Sequence, residues 1–272
     1  MLGAGENAEA VLTDAARRFK GLERLYGTEG ASRIRSAHVV VVGIGGVGSW
    51  AAEALARSAV GHLTLVDLDH IAESNVNRQI HAVDATIGQA KVEAMRDRIA
   101  QINSECKVLA IDEFVEPGNW LSLLDAATRA NGPIDAVIDA CDEMRAKLVI
   151  AAWARSTPST LCITVGAAGG KRHAHRVEID DLSLATHDPL LAQLRQRLRK
   201  QHDAPREGKR FGLACVFSRE SVVRPDASCA VDESSDGTLN CQGYGSTVSV
   251  TATFGQCAAG WVLDKISTNA PL

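Results

Sequence analysis

Residues 43–48 read Gly-Ile-Gly-Gly-Val-Gly, directly after the β-branched run 39–42 and directly before an alanine-rich stretch. An unbroken apolar run of this kind suits a strand buried on both faces. Glycines packed this densely let the chain turn tightly into a helix. The helix N-terminus then presents bare backbone amides to an anion. We therefore expect a strand over 39–42, a helix over about 47–58 and a second strand over 63–67. Asp67 closes that second strand, 24 residues after Gly43, where an acid can accept ribose hydroxyls. By itself the glycine turn suits a redox dinucleotide and ATP equally, and a tight turn without ligand is the plain alternative.

The alternation continues along the chain. Helices are expected over 88–102, 118–128 and 143–156, and strands over 107–111, 134–139 and 160–164. The fold class is α/β: a Rossmann-like, mostly parallel sheet flanked by helices. Ahead of the glycine turn, residues 1–16 read as a flexible leader. A short helical arm follows over 19–34, interrupted at Gly27 and Gly30. The regularity ends near Gly166. Beyond it we expect an extended or antiparallel segment over 166–180, a basic helix over 188–202 opened by Asp188-Pro189, a loop-rich stretch over 203–245, and a last helix.

A second group of residues narrows the ligand. Asp67 and Asp69 are followed by Asn75, Asn77, Arg78 and Gln79, then by Gly88-Gln89-Ala90-Lys91. Lys91 falls in the first turn of a helix, where the dipole disfavours a cation. A residue set against its local preference is a candidate for functional use. Arg78, by forked hydrogen bonds, and Lys91, as a point charge, could together neutralise a triphosphate. Two solvated surface cations are the alternative. Asp142 follows another strand end, and ligands in open α/β sheets bind outside the carboxyl ends of strands. Magnesium takes one or two carboxylates plus phosphate oxygens, which makes Asp142 the candidate metal ligand, with Asp139 a structural partner. A helix N-cap at Asp142 is the other reading.

Composition sets outer limits. The formal charge of −4 over 272 residues argues against nucleic-acid binding by global charge. No two of the seven cysteines lie within four residues of each other, so zinc sites built on C-x-x-C pairs are excluded and a reduced, cytoplasmic protein is expected. Glu6, Glu9 and Asp14 occupy the stretch where a secretory signal needs a basic region and an apolar run. Residues 237–263 carry no charge, but their many Ser, Thr, Asn and Gln residues favour a buried or dimer-packing helix over stable membrane insertion.

These motifs together resemble the ThiF/MoeB/HesA group, relatives of the ubiquitin-activating enzymes, over residues 18–165. The resemblance implies a homodimer that uses Mg-ATP to adenylate a carboxylate, with Gly43, Gly45, Gly46, Gly48, Asp67, Asp69, Asn75, Arg78, Gln79 and Lys91 at the nucleotide. It implies Arg78, Lys91 and Asp142 as catalytic residues, and an arginine of the partner's N-terminal arm, matched by Arg24, reaching the nucleotide in trans. The chain then divides into the leader 1–16, an ATP-binding adenylation half over 17–165, and a substrate-binding and dimer-packing half of the same domain over 166–272. The zinc pairs of the sulfur-carrier branch are absent. The segments RFKGLERLYG, NRQIHA, GKRFGLACVFSRE and NCQGYGSTVSVTATFG, running nearly end to end, resemble instead the tRNA-dehydratase branch. That branch implies ATP-dependent cyclisation of a threonylcarbamoyl group on the adenosine beside the tRNA anticodon. A sulfur-carrier adenylyltransferase is the first rival, and a nicotinamide oxidoreductase or nucleotide sensor the second.

Three further features carry weaker expectations. Cys215 and Cys241 could capture an adenylate as a thioester, although a free cysteine is more often a small buried residue. The group is also linked to a cysteine-desulfurase sulfur relay. Arg195, Arg197, Arg199, Lys200, Arg206, Lys209 and Arg210 face only Asp203 and Glu207, a local basic patch suited to tRNA phosphates, with Lys171, Arg172, His173 and His175 as a possible extension. Residues 243–246, Gly-Tyr-Gly-Ser, could place carbonyls around a monovalent cation, or could be a plain turn.

Overall fold

The computed structural model describes residues 4–206, 208–223 and 244–269, with side chains from Arg17 onward. Seven strands form one sheet: β1 His38–Val42, β2 His62–Val66, β3 Lys107–Ile111, β4 Ala136–Asp139, β5 Leu161–Val165, β6 Val177–Asp181 and β7 Ala214–Ser218. Their spatial order is β3-β2-β1-β4-β5-β7-β6. Every pairing is parallel except β6 with β7, where Val177 faces Ser218. The order reverses direction between β1 and β4, which is where a doubly wound sheet opens a crevice for ligand.

The helices are α1 Ala4–Ser36, α2 Gly48–Arg57, α3 Lys91–Ile102, α4 Trp120–Asn131, α5 Met144–Ser156, α6 Pro189–Gln201 and α7 Val248–Thr268. Alternation along β1 sorts them into two layers. Val39 and Val41 join a core with α2, α3 and α7, whereas Val40 and Val42 join a core with α4, α5 and α6. Burial on both faces accounts for the unbroken valine run.

Two expectations need correction. The arm is longer than 19–34: it is one helical stretch with a break at Gly27, whose φ of 72° only glycine adopts easily. Beyond the break, Arg33 donates to the carbonyls of Ile266 and Ser267, fastening α1 to α7. The loop-rich stretch 203–245 also holds a strand the expectation did not include, β7. A strand inserted between β5 and β6 depends on partners remote in sequence. Its own short run of apolar residues carries little local signal. The last helix was expected to be buried or dimer-packing; α7 buries Val250, Phe254, Ala258, Ala259 and Val262 within its own chain. Gly255 allows the approach, because a Cβ there would crowd Ala51 N at 2.9 Å and Trp50 Cβ at 3.0 Å. Among the described residues no helix is long and apolar enough to cross a membrane.

Candidate active site at the crest of the sheet

The glycine turn sits at the switch point. Gly43 has φ 84°, and a Cβ on it would lie 2.8 Å from Cys141 N and 2.9 Å from the carbonyl of Ala140. A Cβ on Gly48 would overlap the carbonyl oxygen of Gly43. These glycines are therefore required by backbone packing between the β1 and β4 ends. Gly45 and Gly46 differ: the space over them is filled by side chains from the following loop. Gln79 Nε2 lies 3.8 Å from where a Gly45 Cβ would be, and Arg78 Cγ and Cδ lie 3.2 and 3.3 Å from that of Gly46.

Asp67 holds this turn to β2. Its Oδ2 accepts from Ile44 N at 2.5 Å and its Oδ1 from Asp69 N at 2.8 Å. Burial pushes its carboxyl up, opposed by the Lys91 ammonium and by the two amides. Each oxygen keeps one lone pair for a ligand. Lys91 opens α3 and is buried, at 6% exposure, so it is no solvated surface cation. Its Nζ lies 2.6 Å from Asp69 Oδ2, and its backbone amide donates to Asp69 O at 3.0 Å. The adverse helix-dipole position is thus offset by a carboxylate partner.

Arg78 is half-buried. Its Nη1 donates to Ser74 O at 2.7 Å and to Asn77 Oδ1 at 2.8 Å, while Trp50 Nε1 holds its carbonyl at 2.9 Å. Asn75 is buried and accepts from Ala72 N through Oδ1, shaping the same loop. Among the described residues, the buried Oε1 of Gln79 and both ring nitrogens of His81 have no hydrogen-bond partner. Burial, with Lys91 and Arg98 nearby, pulls His81 down to about 4, so its ring is neutral. In the sequence His81 carries no signal of this burial beyond its place in NRQIHA, two residues after Gln79.

At the end of β4, Asp139 is fully buried. Its Oδ2 takes Lys147 Nζ at 2.8 Å and Thr164 Oγ1 at 2.6 Å, and its Oδ1 takes the Cys141 thiol at 2.8 Å. The Asp139 carboxylate keeps Lys147 above the ordinary lysine value, outweighing burial. This makes Asp139 structural. Lys147 was not foreseen, because a lysine in a half-amphipathic helix reads as exposed. Asp142, half-buried, does not cap α5: Glu143 is the cap and accepts from Ala146 N at 2.7 Å. The structure thus gathers Gly43, Gly45, Gly46, Asp67, Asp69, Arg78, Gln79, Lys91 and the chain leading into Asp142 at one crest.

Other candidates fall elsewhere. Cys215 is wholly buried in β7, and burial pushes its thiol well up, which removes the exposed thiolate a thioester needs. Cys241 and Gly243 lie outside the described residues. The carbonyls of Gly245 and Ser246 already accept from Gly170 N at 2.9 Å and Asn77 Nδ2 at 3.1 Å, which supports the plain turn. Arg24 is exposed on α1.

The basic helix α6 starts at the crest, where Asp188 Oδ2 accepts from Ala167 N, and runs to the opposite sheet edge, where Arg155 Nη1 donates to His202 O. Arg199, Lys200, Lys209 and Arg210 therefore sit at the far edge from the glycine turn. A five-residue strand separates the two edges by about 16 Å. Arg195 Nη1 is engaged by the carbonyls of Leu182 and Ala185, and Arg199 by Pro205 O and the Phe211 ring, so these two serve internal packing. Arg197 is half-buried, and Lys200, Lys209 and Arg210 are exposed. Lys171 does not extend the surface at all, being 2% exposed.

The profile of the ThiF family matches residues 17–271. The chain is 41% identical over 268 residues to the tRNA threonylcarbamoyladenosine dehydratase of Escherichia coli (strain K12), covering 96% of this chain and 97% of that one. It superposes with a TM-score of 0.82 and 39% identity on the crystal structure of the E. coli enzyme, TcdA, in complex with ATP, covering 93% of this chain and 95% of that one. Similarity to the molybdopterin-synthase adenylyltransferase of Salmonella typhimurium is 40% over 101 residues, only 37% of this chain and 41% of that one.

Proposed function

The chain belongs to the ThiF family, and on that premise we propose that it is an ATP-dependent dehydratase that cyclises the threonylcarbamoyl group of a modified adenosine beside the tRNA anticodon. The observation that carries the site assignment is the placement of Arg78 across Gly46 and of buried Lys91 beside Asp67 and Asp69: the connection from β2 to α3 brings one cation from its middle and one from its end to the glycine turn.

The chemistry follows from leaving groups. A carboxylate does not expel oxide near neutral pH. Attack of the threonine carboxylate on the α-phosphorus of ATP gives an acyl adenylate and pyrophosphate. An internal heteroatom of the carbamoyl group then displaces AMP and closes the ring, for a net loss of one water. Ring closure is intramolecular, so positioning can replace a protein nucleophile, in keeping with the buried Cys215. Arg78 and Lys91 stabilise charge building on the phosphates. The donor set fits magnesium: one half-buried carboxylate at a strand end, Asp142, beside a phosphate turn. Magnesium, when bound there, supplies Lewis-acid stabilisation of phosphate charge.

The reading includes a homodimer in which Arg24 reaches across from the exposed arm. It places the reaction in the cytoplasm with its tRNA. A sulfur-carrier adenylyltransferase is disfavoured by the short span of that likeness. Incubation of the protein with ATP and tRNA bearing the linear modification tests the proposal: the nucleoside should lose the mass of one water as AMP appears. AMP release dependent on a small carrier protein rather than on tRNA would select the rival.

A further inference from the structure

The loop between β5 and β6 is built in two layers. Beneath, Lys171 Nζ donates to the carbonyls of His187 at 3.0 Å, Ser218 at 3.1 Å and Glu220 at 2.8 Å, so all three of its protons are used. The Glu220 carboxylate, also buried, accepts from Arg172 N at 3.0 Å and His173 N at 2.8 Å. Gly170 is tied on both sides, its amide to Gly245 O and its carbonyl to Val223 N. The buried ammonium anchors residue 171, the buried carboxylate holds the amides of 172 and 173, and backbone bonds hold Gly170.

Above, the side chains of Arg172, His173, His175 and Arg176 are exposed. Among the described residues neither guanidinium has an acidic partner; the nearby Glu178 is taken by Arg219 at 2.8 Å. The two imidazole rings lie 5.6 Å apart, and His173 Nε2 is 4.0 Å from Glu220 Oε1. This loop stands at the crest, since Val177, which follows it, pairs with the last residue of β7. A short path joins it to the candidate active site: Gly170 donates to Gly245 O, the adjacent Ser246 O accepts from Asn77, and Asn77 Oδ1 accepts from Arg78.

We infer that the Arg172–Arg176 loop is the RNA-phosphate contact next to the reacting nucleoside, holding the backbone of the anticodon loop with Arg172 and Arg176. The inference deepens the tRNA reading and rests on it. Guanidiniums without an acidic partner fit phosphate oxygens by forked hydrogen bonds, and the backbone already fixed at Arg172 lowers the cost of ordering the loop. The basic end of α6 lies at the other sheet edge and can meet only a remote part of the same RNA.

The test compares two variants of the full chain, Arg172→Ser/Arg176→Ser and Arg197→Ser/Lys200→Ser/Lys209→Ser/Arg210→Ser, with the wild type. The probe is tRNA carrying the linear threonylcarbamoyl group, and affinity is read by fluorescence anisotropy over a series of salt concentrations. The loop variant should bind about tenfold or more weakly, the loss expected when charged hydrogen bonds are removed. Its salt slope should fall by about 1.4, at ~0.7 per single-stranded phosphate. Affinity and slope equal to wild type in the loop variant, with the far-edge variant carrying the loss, would overturn the inference. Unchanged RNA binding together with lost binding of polyglutamate would also overturn it and assign the loop to an acidic protein. A wild type that leaves the nucleoside mass unchanged sinks the tRNA reading itself, and the inference with it.

Discussion

Lys91 and Asp69 are joined twice, ammonium to carboxylate at 2.6 Å and amide to carbonyl at 3.0 Å. The second bond fixes where α3 begins and the first fixes where its leading side chain points. Lys91→Ala should lower AMP formation by roughly 10²–10³-fold, the scale for losing one preorganised donor. Asp69→Asn should have a smaller effect, because the backbone bond survives. Single-turnover AMP release checks both, and normal turnover in Lys91→Ala would remove it from the phosphate site.

Arg78 lies across Gly46 and reaches Ser74 and Asn77 through one guanidinium nitrogen. Arg78→Lys keeps the charge but loses the planar fork. It should therefore behave like Arg78→Ala, with AMP formation depressed roughly 10²-fold or more. Circular dichroism melts of both variants should remain near wild type, because the residue sits outside the core. Full rescue by lysine would show that charge alone suffices.

The pair Lys147–Asp139 is sealed from solvent on both sides. Lys147→Met strands a buried carboxylate and should cost about 3–5 kcal/mol in urea unfolding. Adding Asp139→Leu should restore much of that loss. A double variant no more stable than the single one would mean that Thr164 and Cys141, rather than the unpaired charge, set the cost.

His81 gives a pH signature. Its ordinary value is 6.5 and burial pulls it to about 4 in the folded chain. Between those values the unfolded chain binds a proton that the folded chain does not, so stability falls as pH falls. Going from about pH 7 to about pH 5, this residue should remove about 2 kcal/mol, at ~1.4 kcal/mol per unit. His81→Leu should flatten that part of the profile in denaturant titrations at each pH. An unchanged slope would place the proton elsewhere.

Cys215→Ala should retain most activity, since the thiol is buried and held protonated. Total loss with a native melting curve would restore the thioester route.

The crest was readable because its signals are local. Gly43 needs a left-handed turn, Asp67 ends a strand, and Lys91 stands against a helix dipole, each visible within a few residues. What escaped depends on depth and direction. Lys147 and Lys171 carry the same symbol as a surface lysine, and only three-dimensional burial shows that their ammonium groups hold carboxylate and carbonyl oxygens. The position of α6 also escaped. A basic helix announces its charge, but which sheet edge receives its end depends on the crossover that carries the chain from β6 to β7. β7 itself was missed because its pairing partners are remote in sequence.

The closeness of Gly255 to the turn between β1 and α2 has a consequence for how the molecule comes into being. Thr251 and Gly255 back the glycine turn from behind, yet they are synthesised some two hundred residues after it. A nascent chain still short of residue 255 carries Gly43 to Gly48, Arg78 and Lys91 but lacks the helix packed behind that turn. A truncation before α7 should therefore yield a chain that contains the whole motif yet binds ATP far more weakly than the full chain, which a nucleotide titration of both checks.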